Sequence, residues 1–330
     1  MPSDKPNGVA CQVHYLANAL CKSGHSVTCV SFSPCPEQAL YRHRLLTYRS
    51  AFKLMRKFEP ALGFLFKSKD TFDVFHFHGD DYLIWGNSKR IRTFYGSALF
   101  EAMYATKIPR FLYQLLFYFF EWLSLLNRGT KVGISESTRR ALPFISNIIP
   151  CGVPLEVFCP GDRKFHYPSI LFLGDLHSRK CGKYLVEIFN DVIIKQYPNC
   201  ILTIVGPEPC EGKNIRYIGN INEQRLVSEY RKSWIYCMVS SYEGFGVPVI
   251  EAMACGTAVV AVDNPGIKSI VHHGYDSLIS DKNGLADNLM LVLRDHELRN
   301  RLVTNGLDTI HRKFDIHSIA EKYEQVYTSI

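Results

Sequence analysis

Short apolar runs alternate with segments of helical periodicity along most of this 330-residue chain. The runs that read as strands are residues 27–32, 74–78, 92–95 and 132–135 in the first half, and 169–174, 200–206, 215–219, 235–240 and 258–263 in the second. Helices are predicted at residues 11–22, near 183–196 and at about 316–328. Strands that alternate with helices form parallel sheets covered on both faces. The pattern therefore predicts an α/β protein.

The length of the chain fits two domains, since single domains usually hold about 100 to 200 residues. Pro150, Pro154, Pro160 and Gly161 mark the crossing between two Rossmann-like halves. We predict an N-terminal domain over residues 1–155, a C-terminal domain over 156–315 and a last helix over 316–330. In open parallel sheets of this kind, ligands bind at the carboxyl ends of the strands.

The segment over residues 240–256 carries the clearest chemical signal. It follows an apolar, strand-like run, and it holds two carboxylates eight residues apart, Glu243 and Glu251, around the glycine pair Gly244 and Gly246. Pro248 suits the first turn of a helix. A strand, a glycine loop and a helix start in that order predict an anion site, because free N–H groups and the positive helix end face the loop. An ordinary strand-turn-helix connection with two solvated glutamates is the alternative.

These residues resemble the retaining GT-B glycosyltransferases, the group-one glycosyl transferases also called glycosyltransferase family 4. The Glu243 and Glu251 spacing matches the family signature, and residues 265–271 and 274–279 continue the match, so that the resemblance covers nearly the whole chain. It implies two Rossmann-like domains facing across a cleft, with the C-terminal helix crossing back to the first domain. It also implies retaining transfer from a UDP- or GDP-sugar. The donor-binding residues it implies in this segment are Glu243, Gly244, Phe245, Gly246, Val247 and Glu251.

The same resemblance implies site residues elsewhere in the chain. His78 matches the histidine that reaches the transferred sugar, although a loop histidine without a chemical role is the plain alternative. Lys180 matches the lysine that neutralises the diphosphate, and Arg179 beside it adds a second cation. Gly8 lies in a segment that resembles the first domain's glycine loop. We expect His78, Lys180 and Glu243 to be catalytic, and Gly8, Arg179 and Lys180 to bind the donor.

Some positions depart from the family pattern. Asp175 follows Gly174 where an arginine is usual, which predicts weaker diphosphate binding. Tyr95 stands where a histidine is frequent. Met1 precedes the first glycine loop by only a few residues, so we expect the family's first strand to be truncated or replaced. A nucleotide-sugar-binding or scaffold protein of this fold, with impaired catalysis, is therefore the alternative function.

The chain holds no motif for a resident metal or cofactor. It has no Asp-x-Asp pair, and no G-x-G-x-x-G motif of a dinucleotide-binding enzyme. We therefore expect metal-independent transfer, with the nucleotide sugar as a substrate and no cofactor. The eleven cysteines contain no C-x-x-C pair, which favours a reducing cytoplasm.

Positive charge is concentrated in the first domain. Residues 1–155 hold 19 Lys and Arg against 10 Asp and Glu, while the rest hold 19 against 21. Eight basic residues lie between Arg42 and Lys69, with apolar residues at helical spacing beside them. An anionic membrane surface and an ordinary surface helix fit this pattern equally. Nucleic acid ranks last, since no binding module is recognisable.

A second apolar segment, residues 111–126, predicts a buried or interfacial helix. It has 16 residues, includes Gln114 and Glu121, and is shorter than the roughly 20 apolar residues of a membrane span. Its aromatic content favours interfacial docking. We therefore expect a cytoplasmic protein that can bind peripherally to the inner face of a membrane, with a cell-surface glycan or lipid-linked precursor as acceptor.

Overall fold

The computed structural model describes residues 8–47, 59, 72–79, 81–82, 89–105 and 107–330. The chain divides into two compact units. Unit 1 holds the residues up to Gly152 together with Ile316–Ile330, and unit 2 is the continuous segment Val153–Asp315. Unit 1 is therefore discontinuous in sequence, because the last helix belongs to it.

Unit 1 is an α/β unit with parallel strands. Its elements are α1 (Gly8–Lys22), β1 (Thr28–Ser31), β2 (Arg42–Leu45), β3 (Phe75–Phe77), β4 (Arg90–Phe94), α2 (Ala98–Met103), α3 (Ile108–Leu126), β5 (Thr130–Gly133), α4 (Glu136–Ala141), β6 (Asn147–Ile148) and, from the chain end, α11 (Ile316–Thr328). The strands β3, β4, β5 and β6 form one sheet in that order, and β1 pairs with β2 in a second. Every pairing described in the two sheets is parallel.

The C-terminal helix α11 is built into unit 1 by apolar and polar contacts. Ile316, Ile319 and Ala320 are buried, and the isoleucines lie against Gly152, where a Cβ would meet the Ile316 side chain at 2.9 Å. The hydroxyl of Tyr323 lies 3.0 Å from Thr93 Oγ1 on the central strand β4. The return of this helix to the first domain, which the resemblance implies, is confirmed.

Unit 2 is a doubly wound parallel sheet. Its elements are β7 (Ser169–Leu173), α5 (Gly182–Ile188), α6 (Ile194–Gln196), β8 (Ile201–Val205), β9 (Ile215–Tyr217), α7 (Glu223–Lys232), β10 (Ile235–Met238), α8 (Val247–Ala254), β11 (Ala258–Val262), β12 (Leu278–Ser280), α9 (Leu285–Arg294) and α10 (His296–Lys313). A π-helical turn, Phe189–Ile193, joins α5 to α6. The strand order is β12-β11-β10-β7-β8-β9. The order therefore reverses between β7 and β10, and such a switch point is where open parallel sheets leave a ligand crevice.

The residue types of unit 2 explain its sheet. The central strands β10 and β11 are completely buried, and they are rich in the β-branched and apolar residues that a sheet covered on both faces requires. Their core includes Ile235, Val260 and, from the covering helix α9, Leu289. At the start of α10, Asp295 caps the helix by accepting a hydrogen bond from the Leu298 N–H at 2.8 Å.

Each predicted strand overlaps a strand of the structure, and one interpretation is wrong. The spacing of residues 42–45 predicts the start of a basic helix, but these residues form strand β2, because they pair in parallel with β1. The remaining basic residues of that stretch, from Arg49 to Lys69, lie outside the described residues, and so do residues 1–7, where the first strand was expected to be missing. The short strands β6 and β12 were not predicted.

Candidate functional site

The site in unit 2 is built at the carboxyl ends of β7 and β10, where the strand order reverses. After β7, Gly174 turns the chain with a φ of +152°, and a Cβ there would lie 2.8 Å from the Lys180 side chain. Only glycine allows this approach without displacing Lys180. The backbone of the loop after β10 is joined to the loop after β7, since Ser241 N donates to the Arg179 carbonyl at 2.9 Å. The two loops are thereby fixed side by side.

Glu243 lies between the two cations that follow β7. Lys180 Nζ is 2.6 Å from Glu243 Oε1, and Arg179 Nη1 is 3.1 Å from Glu243 Oε2. Arg179 Nη1 also donates to the Tyr242 carbonyl at 2.6 Å. The sequence predicts these three side chains at one site, and in the structure Glu243 contacts both Lys180 and Arg179.

The pKa of Glu243 lies below its ordinary value. Burial is the largest single influence and raises this pKa, but the charges of Lys180 and Arg179 and the hydrogen bond from Lys180 together outweigh it. Glu243 is only 6% exposed. The result is a buried, ionised carboxylate that neutralises one of its two cations, so the cluster as a whole keeps a positive charge suited to an anion.

Glu251 lies in the second turn of α8 and has a different environment. It is 8% exposed, and its Oε2 accepts a hydrogen bond from the Tyr230 hydroxyl at 3.1 Å. Burial raises the pKa of Glu251 to about 7, although the Tyr230 hydrogen bond and the charge of Lys180 oppose the shift. The two glutamates of the motif therefore differ in charge state near neutral pH, since Glu243 is ionised and Glu251 is partly protonated.

The helix α8 presents its positive end to the loop that carries Glu243. Gly246 has a φ of +111° and is the N-cap residue, and Val247 and Pro248 form the first turn. Phe245, a predicted donor-binding residue, has a buried ring packed edge-on against Phe314 at 5.8 Å, so its side chain belongs to the core of unit 2.

A third loop supports the site from the end of β11. Asn264 donates to the Ser240 carbonyl at 3.2 Å and accepts from Gly266 N at 3.1 Å. Gly266 lies against Glu243, where a Cβ would be 2.5 Å from the Glu243 carbonyl oxygen. Asn264 and Tyr230 are site residues that no motif predicts. Gly266 lies in segment 265–271, whose match to the family pattern is the one sequence feature that points to this loop. Tyr230 lies on α7, where no motif is present.

Asp175, which replaces the expected arginine, is half-buried beside Gly174. Its carbonyl accepts a hydrogen bond from Gly182 N at 3.3 Å. Gly182 begins α5, and a Cβ there would clash with the Phe172 ring at 2.6 Å. The backbone of Asp175 therefore helps to position the start of α5, just after Arg179 and Lys180.

His78 belongs to unit 1 and follows the carboxyl end of β3. Its Nδ1 lies 2.9 Å from the Tyr95 hydroxyl, and its ring is 3.9 Å, centroid to centroid, from the ring of His76. Burial, followed by the charge of Arg92, lowers the pKa of His78 to about 3. His78 is therefore neutral at neutral pH, and a Tyr95 hydroxyl that donates to Nδ1 leaves the proton of the ring on Nε2.

His76 connects this histidine to the C-terminal helix. Its Nδ1 lies 2.8 Å from the Tyr327 hydroxyl and its Nε2 lies 2.8 Å from Thr93 Oγ1. No motif marks His76 in the sequence. Gly8, the other site residue predicted in the first domain, is the exposed first residue of α1, with open space around its Cβ position. Its role in binding the donor stays a prediction.

Comparison with known proteins identifies the kind of domain that unit 2 is. Residues 160–309 match the model of the family described as glycosyl transferases group 1. A curated relative, the phosphatidyl-myo-inositol mannosyltransferase of Mycobacterium tuberculosis, is 27% identical over 225 residues, which cover 61% of this chain and 59% of the relative. The chain thus spans about three fifths of the length of this relative.

Solved structures match over nearly the whole chain. Sucrose-phosphate synthase from Thermosynechococcus elongatus is 22% identical, with a TM-score of 0.80 over 98% of this chain and 93% of that chain. Anabaena HepE, in complex with UDP and glucose, is 13% identical, with a TM-score of 0.75 over 100% of this chain and 98% of that chain. At these identities the likeness shows the fold alone. The fold is that of the GT-B glycosyltransferases, as the sequence predicted.

Proposed function

We propose that this chain, whose residues 160–309 match the group 1 glycosyl transferases, is a transferase of that kind and moves a sugar from a nucleoside diphosphate donor, UDP- or GDP-linked, to a hydroxyl acceptor with retention at the anomeric carbon. One observation carries the proposal. Lys180, Arg179 and Glu243 meet at the strand-order reversal of unit 2, beside the positive end of α8. A net positive, partly buried cluster at that position suits a diphosphate.

In this proposal Lys180 stabilises the negative charge that grows on the departing nucleoside diphosphate. Its ammonium contacts Glu243 at 2.6 Å, so the arriving diphosphate shares a cation that is already held in place. Arg179 holds the Glu243 loop through its two contacts there. Glu243 then offers its remaining acceptor capacity to sugar hydroxyls, and Glu251 accepts from the ribose diol.

We further propose that His78 contacts the transferred sugar through Nε2. Its neutral ring, oriented by Tyr95, has a hydrogen-bond donor to offer there. Transfer without a metal is part of the same proposal, because Lys180 and the end of α8 provide the positive charge that a bound cation would otherwise supply.

The acceptor is proposed to be a cell-surface glycan or a lipid-linked precursor. The mannosyltransferase relative carries a phosphatidyl-myo-inositol acceptor in its name, which supports the lipid-linked choice. The solved relative that holds UDP and glucose supports a UDP-sugar donor. We also propose that the chain acts in the reducing cytoplasm at the inner face of the membrane, since its eleven cysteines include no C-x-x-C pair.

The test measures nucleotide binding and transfer separately. Titration calorimetry with UDP and with GDP is compared for the natural protein, Lys180→Ala and Lys183→Ala, a matched control on the exposed face of α5. We expect Lys180→Ala to weaken binding at least tenfold and Lys183→Ala to leave it unchanged. Equal affinities in all three proteins would contradict the site.

Transfer is then followed with a panel of UDP- and GDP-sugars, and NMR of the product reads the anomeric configuration. We expect Lys180→Ala and Glu243→Ala each to lower turnover by orders of magnitude without unfolding the protein. A protein that binds the nucleotide but neither hydrolyses nor transfers a sugar from any donor would contradict the proposed transferase activity. It would support the alternative function, a binding or scaffold protein of the same fold.

A further inference from the structure

The helix α3 of unit 1 has apolar residues on its outer side as well as on the side that packs against the unit, where Leu125, Tyr118 and Trp122 join a core cluster. Its outer face, which we define as Ile108, Phe111, Leu112, Leu115, Leu116 and Phe119, follows the spacing of one helix side and is exposed, from 37% at Leu115 to 76% at Ile108. A surface helix normally buries its apolar side and exposes its polar side. The exposed apolar face is therefore a candidate interaction surface.

Two polar side chains of α3, those of Glu121 and Ser124, form hydrogen bonds with the rest of unit 1. The Glu121 carboxylate accepts from the Ala98 N–H at 3.0 Å and from Ser97 Oγ at 3.3 Å. Ser124 is buried and donates to Asp81. These contacts fix the rotation of the helix about its axis, so the outer face cannot turn inward. The exposure of the outer face is therefore determined by contacts within unit 1.

Basic residues flank the outer face at both helix ends. Lys107 is the N-cap residue and Arg128 follows the C-terminal end, and both are exposed. Arg110, in the first turn, is paired with Glu101 at 3.1 Å. Residues 1–155 together carry 19 Lys and Arg against 10 Asp and Glu. An apolar strip with cations at its ends complements a surface that has anionic headgroups above an apolar layer.

Two features of the face disfavour a protein partner. Its six side chains contain no hydrogen-bonding group, whereas protein interfaces carry about one hydrogen bond per 100 to 200 Å². A second copy of this chain would bring two positively charged units together, which costs electrostatic free energy. A lipid acyl layer needs neither hydrogen bonds nor opposite charges on the face.

The dimensions also suit an interfacial helix. Nineteen residues at 1.5 Å per residue make α3 about 28 Å long, and the outer face runs along its first three turns. Within the part of the chain that the structure describes, no helix is both long and apolar enough to cross a bilayer. We propose that the outer face of α3 inserts into the interfacial layer of an anionic membrane, with Lys107 and Arg128 at the headgroups.

This inference goes beyond the transfer reaction and is tested without a sugar nucleotide. The full chain is floated with vesicles of phosphatidylcholine alone and of phosphatidylcholine with 30 mol% phosphatidylglycerol, a lipid content chosen at about the level of anionic membranes. Two variants are floated beside the natural protein. The α3 variant is Leu112→Ser/Leu116→Ser/Phe119→Ser. The control is Leu40→Ser/Leu45→Ser/Tyr275→Ser, which changes three exposed apolar residues outside α3.

We expect the natural protein and the control to bind the anionic vesicles, and the α3 variant to bind at least tenfold less. We expect Lys107→Gln/Arg128→Gln to weaken binding and to reduce its dependence on salt. Circular dichroism and thermal melting check that each variant is folded, and UDP titration checks unit 2 independently. Equal flotation of the α3 variant and the natural protein would overturn the inference. So would a dimer that the α3 variant dissociates, in a protein that binds no vesicles.

Discussion

At the scale of single residues, the two glutamates of one motif have opposite pKa shifts. Glu243 contacts two cations, while Glu251 has a hydroxyl partner and burial that raises its pKa to about 7. Their eight-residue spacing predicts that both face one ligand. It does not predict their charge states, because these depend on Lys180 and Tyr230, which are brought in from other elements.

The charge of Glu251 makes nucleotide binding depend on pH. A charged acceptor binds a ribose diol more strongly than a protonated one, so we expect affinity for UDP or GDP to rise by up to about tenfold from pH 6 to pH 8, as the group ionises around pH 7. Titration calorimetry across this range measures the effect. Glu251→Gln should bind weakly and without this pH dependence, and a slope that survives in it would assign the titration to another group.

Tyr230 gives the matched test of the same group. Its hydroxyl donates to Glu251 and lowers the pKa of that carboxyl, so Tyr230→Phe should move the midpoint of the binding profile to higher pH. Tyr236→Phe is the control, since Tyr236 is buried nearby and packs edge-on against Tyr230 at 5.6 Å. The same shift in both variants would point to a packing effect.

The stability of the free protein should respond to Glu251 in the opposite direction. Its folded pKa is raised, so the stability it contributes is complete below about pH 4.5 and is lost as pH rises through about 7. Glu251→Gln removes this loss. We expect the difference in unfolding free energy between Glu251→Gln and the natural protein to grow in favour of the variant from pH 5 to pH 8, measured by urea unfolding without nucleotide.

The depressed pKa of Glu243 predicts a pH dependence of protein stability of the opposite sign. Its folded pKa is depressed, so its stabilising contribution is present above about pH 4.5 and is lost as pH falls through the folded value. Lys180→Met removes the nearer cation and leaves a buried carboxylate with Arg179. We expect a cost of about 1–3 kcal/mol at pH 7 that shrinks toward pH 4. Lys183→Met is the exposed control and should cost little at either pH.

At the scale of elements, the sequence predicted the parallel strands better than the contacts between loops. The strands β7, β10 and β11 are buried on both faces, so each has a continuous apolar run that can be recognised from its own sequence. The run at Arg42–Leu45 predicts a helix wrongly, because its basic and apolar residues fit more than one period. Its pairing with β1 decided the outcome, and pairing is a tertiary contact.

The helix α3 shows the same limit. Its apolar content predicted a buried or interfacial helix, but periodicity alone does not tell which side of a helix faces its own domain. The contacts of Glu121 with Ser97 and Ala98 decide that, and the sequence separation of more than 20 residues hides them. The loop contacts around Glu243 are hidden for the same reason, since Lys180 lies 63 residues away.

The packing of Gly266 makes the loop after β11 part of the site. A Cβ at this position would lie 2.5 Å from the Glu243 carbonyl oxygen, so Gly266→Ala must displace the loop that carries Glu243. We expect a stability loss of about 1–3 kcal/mol and a larger proportional loss of nucleotide affinity. Urea unfolding and calorimetry measure the two effects. Gly8→Ala, with open space around its Cβ, is the control for stability, and unchanged nucleotide affinity in Gly266→Ala would remove this loop from the site.

At the scale of the whole molecule, the order of the units along the chain has thermodynamic consequences. Unit 2 is continuous from Val153 to Asp315, and its six-stranded sheet has a core of its own. Unit 1 depends on α11, which arrives from the far end of the chain and buries Ile316, Ile319, Ala320 and Tyr323 there. The last 15 residues should therefore stabilise the unit that lies at the opposite end of the sequence.

Truncation after Asp315 tests this dependence. The deletion removes the buried side chains of α11 from unit 1, and it takes the Tyr323 and Tyr327 hydroxyls away from Thr93 and His76. Loss of several buried apolar side chains and of these partners should cost unit 1 more than about 5 kcal/mol, enough to unfold a domain of ordinary stability.

Unit 2 keeps its own helix end, where Val153 N donates to the Phe314 carbonyl at 2.8 Å. We expect calorimetry to show one remaining transition that UDP or GDP still raises, while transfer is abolished. A truncated protein that melts as the full chain does would show that α11 contributes little to unit 1, and loss of the nucleotide-dependent transition would show that unit 2 does not fold by itself.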